Sequence, residues 1–174
     1  MEKTTSILPK LQKEGVEMTE VTVEIIKRTT KTALKAHGAA DWISDHVADA
    51  VATAESVGNR ICGLYYLESY CLQLQSGRVN GTAEPVVTSP RPGAVHVDAK
   101  MGFAQSAFAR GLPVAVEAAQ KLGVASLAVG HAHTCTSLGY FTEHIARAGL
   151  IGLGLTNASP IVAPPGGKTR VIGT

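Results

Sequence analysis

The sequence contains few cysteines. Cys62, Cys71 and Cys135 are the 3 cysteines of the 174 residues, and they are odd in number, irregularly spaced and without a CxxC pair. This pattern argues against a disulfide framework or a cysteine zinc motif, and it favours a reducing compartment. We therefore expect three buried thiols in a cytoplasmic protein.

Blocks of like charge and long apolar runs are also missing. The chain has 16 basic and 14 acidic side chains, with a formal net charge of +2. Because neither sign is clustered, there is no electrostatic indication of a nucleic-acid or membrane-surface partner. No segment approaches the roughly 20 apolar residues of a membrane span, and the N-terminus lacks the apolar core of a signal peptide.

The apolar content is sufficient for a folded core, since hydrophobic residues make up 45% of the sequence. We interpret residues 1–18 as a polar lead-in and residues 19–78 as a helical segment. Within it, residues 21–25 alternate like a short strand, and apolar residues at helical spacing then predict helices over 26–36, 41–57 and about 64–74. Gly77 opens a loop that is dense in Gly, Pro, Ser and Thr, and we expect the segment to end there.

Strands and helices alternate in residues 79–174. The pattern predicts strands over 94–99, 124–129, 150–157 and 169–172. It predicts helices over 102–122, with a break or kink at Pro113, and over 140–148. Such alternation is typical of an α/β layer, so the predicted fold class is α/β with a preceding helical segment.

The stretch VGHAHTCTSLGY, residues 129–140, follows a predicted apolar strand. Ligands collect at the carboxyl ends of strands in open α/β sheets, which raises the functional interest of polar side chains there. In an extended chain His131, His133 and Cys135 would share one face, as in a zinc-binding His-x-His pair. No third and fourth ligand stands out, so we expect no metal. Acid/base chemistry, substrate contact and structural loop histidines remain as alternatives.

Four segments together resemble the type-2 malate/L-lactate dehydrogenase family, and they match its N-terminal half. They are YCLQLQSGRVNG (70–81), VDAKMGFAQSAF (97–108), GYFTEHIARAGLIGLGLTNASPIVAPPGG (139–167) and the terminal RVIGT (170–174). The resemblance implies a non-Rossmann sheet layered with helices. It also implies an oxidoreductase that uses NAD or NADP on small 2-hydroxy or 2-oxo acids, or on cyclic imine acids.

By this resemblance, the last part of the chain contacts the cofactor. Glycines there allow close backbone approach to a phosphate, and two cations supply charge. Without the resemblance, a turn-rich connection between strands would explain the same letters. The implied cofactor residues are Thr156, Asn157, Ala158, Pro160, Gly167, Lys168, Arg170, Ile172, Gly173 and Thr174.

The chain departs from the family at two motifs that carry chemistry. Cys62 and Tyr66 stand where the family has a histidine and an arginine, and Thr134 stands at a second histidine. Because reduction of an oxo or imine acid needs a proton donor, we expect His133, and next His131, to supply it.

Because the family's arginine is also missing, another residue must bind the substrate. We expect Arg60 to replace the lost arginine as the anchor of the substrate carboxylate, and we expect Cys62, Tyr66 and Thr134 to line the substrate site. An inert buried thiol is the alternative for Cys62.

The substituted motifs leave a second functional class open. The chain could be a degenerate family member that binds nucleotide, or acts as a structural subunit, without turnover. Family members are considerably longer, so residues 79–174 would form only the first part of a nucleotide-binding domain. We therefore expect a second chain that carries the remaining half, and an assembly that pairs into a homodimer as the resemblance implies.

Overall fold

The computed structural model describes residues 20–133 and 135–173. Its first layer is helical: α1 (Val23–Ala36), α2 (Asp41–Ser56), two 3₁₀ turns (Arg60–Cys62 and Leu64–Tyr66) and α3 (Leu67–Gln75). The polar lead-in predicted over 1–18 lies outside the described residues.

The short strand predicted over 21–25 is wrong, because α1 already begins at Val23. Thr22 caps this helix, and its Oγ1 accepts a hydrogen bond of 3.3 Å from the Ile25 amide. Ile26, Thr30 and Leu34 then follow at helical spacing and face the core. The helical spacing of these core residues therefore decided the structure, and the short apolar-polar alternation at the start of the segment did not.

A three-stranded mixed sheet follows, and it confirms the predicted α/β class. Its strands are β1 (Val86–Arg91), β2 (Ala94–Asp98) and β3 (Ser126–Gly130), in the order β1-β2-β3. β1 pairs antiparallel with β2, and β2 pairs parallel with β3. β1 lies inside the predicted loop and was missed. Its Pro90 is tolerated because β1 is an edge strand.

Helix α4 (Ala104–Leu122) connects β2 to β3 and covers one face of the sheet. It continues through Pro113 as one helix, so of the predicted break or kink the break does not occur. At Gly111 the helix approaches the sheet closely, since an added Cβ would lie 2.5 Å from Val97 Cγ2.

The main core cluster joins the helical layer to the start of α4. Its buried members, all fully or almost fully enclosed, are Leu34, Ala39, Ile43, Val47, Val51, Tyr70, Leu74, Val79 and Phe103. A smaller cluster of Val97, Ala99 and Ala107 lies between the sheet and α4. The division at residues 78 and 79 stays a prediction, and Phe103 packs across it.

The last described part contains α5 (Leu138–Arg147) and an antiparallel pair, β4 (Pro160–Val162) and β5 (Ile172–Gly173). The strand predicted over 169–172 is wrong for 169–171, because the observed strand covers only Ile172–Gly173. Among the described residues no helix combines the length and the apolar character that crossing a membrane requires.

The strand predicted over 150–157 is wrong, because this segment pairs with no strand in the described part of the chain. Gly152 and Gly154 lie against α5, whereas Ile151, Leu153 and Leu155 point outward with exposed fractions of 103%, 84% and 84%. Burial does alternate along this segment, but a strand also needs a neighbour to hydrogen-bond its backbone.

Candidate functional site

The backbone of His133 is fixed beyond the carboxyl ends of β2 and β3. The His133 amide donates to the Gly102 carbonyl at 2.8 Å, and the Ala104 amide donates to the His133 carbonyl at 3.1 Å. Phe103 and His133 form a parallel bridge that prolongs the β2-β3 pairing. His133 therefore lies at the start of α4, in the position where ligands bind in many α/β sheets.

The His133 ring packs edge-on against two aromatic rings, those of Phe103 at 5.9 Å and Tyr70 at 6.3 Å. Its Nε2 hydrogen-bonds the Gln73 side-chain oxygen. Its Nδ1 is buried and has no partner among the described residues. Burial lowers the pKa of His133, and the nearby Arg78 charge lowers it further, so the ring is neutral at neutral pH.

Tyr70 lies at the centre of this cluster. Its ring stacks on Tyr66 with centroids 6.1 Å apart, and its hydroxyl is buried without a hydrogen-bond partner in the described chain. Burial raises the pKa of Tyr70 to about 12; the Thr136 hydroxyl opposes the rise, and nearby Cys62 adds to it. The structure thus brings Cys62, Tyr66 and His133 together around Tyr70.

Neither Tyr70 nor Gln73 was among the predicted site residues. Both lie in the motif YCLQLQSGRVNG, and the positions of Tyr66, Tyr70 and Gln73 are four and then three residues apart. This spacing places them on one helical face and was the available signal.

His131 is placed differently. Its φ of 49° is left-handed, so the expectation that His131, His133 and Cys135 share one face of an extended chain is wrong. His131 Nδ1 lies 3.1 Å from Asp98 Oδ1. Asp98 also accepts from the Lys100 amide at 2.9 Å and pairs with Lys100 Nζ at 2.9 Å. Asp98 ends strand β2 and was not predicted as a site residue.

Arg60 is exposed on the first 3₁₀ turn, and it forms no ion pair with any residue that the structure describes. The Arg78 charge, in contrast, acts on His133. Thr134, predicted to contact substrate, lies outside the described residues. Arg60 therefore stays a prediction as carboxylate anchor.

The three thiols are not equally enclosed. Cys71 is buried as expected, whereas Cys62 and Cys135 are half-buried, so the expectation is wrong for those two. Cys62, on the first 3₁₀ turn, and Cys135, on the loop after β3, both lie near Tyr70. Cys135 Sγ donates to Thr156 Oγ1 at 3.6 Å. This contact connects the histidine loop to the predicted cofactor segment.

The predicted cofactor residues form an exposed segment around β4 and β5. The Val171 amide donates to the Val162 carbonyl at 3.0 Å, and a Cβ at Gly173 would collide with the Ala158 carbonyl. The other predicted residues, Thr156, Asn157, Pro160, Gly167, Lys168, Arg170 and Ile172, are all exposed, and Thr174 lies outside the described residues. Exposed backbone amides with two cations suit an anionic phosphate group.

No group of three or more His, Cys, Asp or Glu side chains within residues 20–133 and 135–173 is arranged to hold a metal ion. A surface groove of about 480 Å³ lies between the β1-β2 turn and the C-terminal half of α4. None of the predicted site residues lines this groove.

The family model for malate/L-lactate dehydrogenase matches residues 21–174. A Δ1-pyrroline-2-carboxylate/Δ1-piperideine-2-carboxylate reductase of Pseudomonas aeruginosa is 31% identical over 157 residues, covering 90% of this chain and 47% of the relative. A (2R)-3-sulfolactate dehydrogenase (NADP(+)) of Chromohalobacter salexigens is 36% identical over 142 residues, covering 82% of this chain and 42% of the relative.

Solved structures show the same relationship. A malate dehydrogenase from Pyrococcus horikoshii OT3 superposes with a TM-score of 0.82 at 26% identity, covering 89% of this chain and 44% of that one. The chain spans about half the length of the curated relatives it matches.

Proposed function

Because the chain belongs to the malate/L-lactate dehydrogenase family, we propose that it is part of an NAD(P)-dependent reductase of a small cyclic imine acid. Small 2-oxo acids are the second substrate class. The observation that carries the proposal is the similarity to imine-acid reductases across 90% of this chain. The half-buried cluster around Tyr70 and His133 supports it, because it combines apolar rings with a few convergent polar groups.

The chain's own residues would bind and protonate the substrate. Cys62, Tyr66 and Thr134 would line the substrate site, and Arg60 would bind the substrate carboxylate. His133 and His131, both beyond the carboxyl ends of the parallel strands, are the candidates for proton transfer to the substrate nitrogen or oxygen.

A nicotinamide cofactor would supply the hydride. Lys168 and Arg170 would bind its phosphates, with Thr156 and Asn157 on the same exposed segment. The contact between Cys135 and Thr156 supports a location of this segment next to the histidine loop. One relative uses NADP by name, and both NAD and NADP are included in the proposal.

Ile151, Leu153 and Leu155 form an exposed apolar row, and such a row supports the proposal of a covering partner. The relatives contain about as much sequence again beyond the matched part. We propose that the equivalent polypeptide covers the row and completes the cofactor site, and that the assembly forms a homodimer. Light scattering of the purified protein, with and without that polypeptide, measures both associations. A monodisperse 174-residue monomer that binds NADH unaided would contradict them.

Turnover tests the proposed function. Purified full protein is mixed with NADH or NADPH and with Δ1-pyrroline-2-carboxylate, Δ1-piperideine-2-carboxylate, pyruvate or oxaloacetate, and cofactor oxidation is followed by absorbance. We expect at least one cyclic imine acid to be reduced. Absence of turnover, together with tight nucleotide binding, would favour the degenerate, non-catalytic alternative. The two relatives named above are enzymes and do not support that alternative.

A further inference from the structure

We propose that His131 is the proton donor of this reaction and that Asp98 is the residue that positions it. This inference rests on the proposed function and assigns a role within it. The evidence is the geometry beyond the carboxyl ends of β2 and β3, where both residues lie.

Asp98 holds the His131 ring in one orientation. Asp98 Oδ1 lies 3.1 Å from His131 Nδ1 and also accepts from the Lys100 amide at 2.9 Å. Lys100 Nζ binds the other carboxylate oxygen at 2.9 Å. The Lys100 contacts hold the pKa of Asp98 well below its usual range, so the carboxylate stays charged. A carboxylate on Nδ1 fixes the ring tautomer and leaves Nε2 for the reaction.

The backbone around this pair is strained. Lys100, Met101 and His131 have φ values of 52°, 61° and 49°, which residues other than glycine rarely adopt. Such strain concentrates at functional sites. The Met101 amide donates a hydrogen bond of 2.8 Å to the His131 carbonyl, and this bond joins the strained residues of the two loops.

His133 is less suited to give up a proton. Its Nε2 is occupied by Gln73, and its Nδ1 is enclosed. Burial also lowers its pKa, which keeps the ring neutral. The side chain of His131, in contrast, is 71% exposed, so both a substrate and water can reach Nε2.

The substrate C=N carbon receives a hydride, with its two electrons, from the reduced nicotinamide. The π electron pair moves to nitrogen, which takes the proton from Nε2 of the His131 imidazolium. The products are the amine, the oxidised nicotinamide and a neutral His131, whose exposed ring takes up a proton from the buffered solvent.

The test uses full protein with Δ1-pyrroline-2-carboxylate and both reduced nicotinamides. We expect His131→Ala to lower kcat at least about 100-fold. We also expect added imidazole to restore part of that loss, because the exposed position leaves room for it. Misfolding cannot produce rescue by imidazole, so this readout separates chemistry from structure.

Asp98→Asn is the second variant. It keeps the size of the side chain but removes the charge, and we expect kcat to fall while KM is unchanged. His96→Ala is the matched control, since His96 is an exposed histidine on β2, two residues before Asp98. We expect it to retain wild-type kcat.

The outcomes separate the two proposals. If the wild-type protein reduces no substrate, the proposed function fails and the assignment of His131 fails with it. If the wild type turns over and His131→Ala retains its kcat, or loses it without rescue by imidazole, only the assignment of His131 is overturned.

Discussion

Two buried tyrosines give opposite predictions for the same chemical change. Tyr70 and Tyr140 are 1% and 4% exposed, and Tyr→Phe removes one oxygen from each. The Tyr70 hydroxyl has no partner among the described residues, whereas Tyr140 donates to the His46 carbonyl at 3.4 Å. Their free energies of unfolding should therefore change in opposite directions.

The magnitudes follow from the cost of an unmade hydrogen bond. A buried hydroxyl without a partner costs about 1–3 kcal/mol, and a typical made hydrogen bond contributes about 0.5–1.5 kcal/mol. The Thr136 hydroxyl lies near the Tyr70 hydroxyl but makes no hydrogen bond of ordinary geometry with it, so it offsets only part of the first cost. We therefore expect Tyr70→Phe to stabilise the protein by about 1 kcal/mol, and Tyr140→Phe to destabilise it by about 0.5–1 kcal/mol.

Urea unfolding followed by circular dichroism measures both changes on the full protein, with equal m-values as the check on comparison. In thermal melts a 1 kcal/mol change shifts Tm by about 2–4 °C for a chain of this size. If Tyr70→Phe destabilises the protein as much as Tyr140→Phe does, the Tyr70 hydroxyl is hydrogen-bonded and this description of the site is wrong.

Two further predictions concern charge. Because the pKa of His133 is lowered from its usual 6.5, the unfolded chain binds the proton more readily, so stability should fall as pH drops below about 6.5. In urea titrations His133→Gln should flatten that dependence, and an unchanged slope would contradict it. Replacing both Lys168 and Arg170 by Ala should weaken NADPH binding at least about tenfold in calorimetry, with a smaller effect at high salt. Lys121→Ala is the control, and equal losses would refute the phosphate role.

The helices of the first layer could be predicted from the sequence because their signals are local. In α2, buried residues recur at helical spacing, and Gly58 follows the helix end. The strand β2 was also predicted, since Val95 and Val97 face the core in alternation. Periodicity reports which side of an element is buried, and in these elements burial is one-sided.

The errors arose where the structure depends on a partner. Apolar residues alternate in 150–157 as they do in strands. Whether a strand forms, however, depends on a neighbouring strand to pair with, and the sequence of the segment does not reveal one. β1 was hidden among turn-forming residues, including Pro90, because an edge strand tolerates them.

The arrangement of the candidate site could be predicted in part. The position of the histidine pair beyond β3 followed from the strand pattern, and the grouping of Cys62 and Tyr66 with His133 followed from the resemblance. The contact between Asp98 and His131 could not be predicted, because it joins two loops 33 residues apart through left-handed backbone. Tyr70 lies in one of the segments that resemble the family, but it was not predicted as a site residue.

Hydride transfer tests the central claim most directly. Full protein is incubated with Δ1-pyrroline-2-carboxylate and with NADH or NADPH that carries deuterium on either face of the nicotinamide C4, and the product is analysed by mass spectrometry. We predict pyrrolidine-2-carboxylate that has gained the deuterium from one face only. Product that contains no deuterium from either face, or no product at all, would contradict the claim that this chain belongs to a nicotinamide-dependent imine-acid reductase.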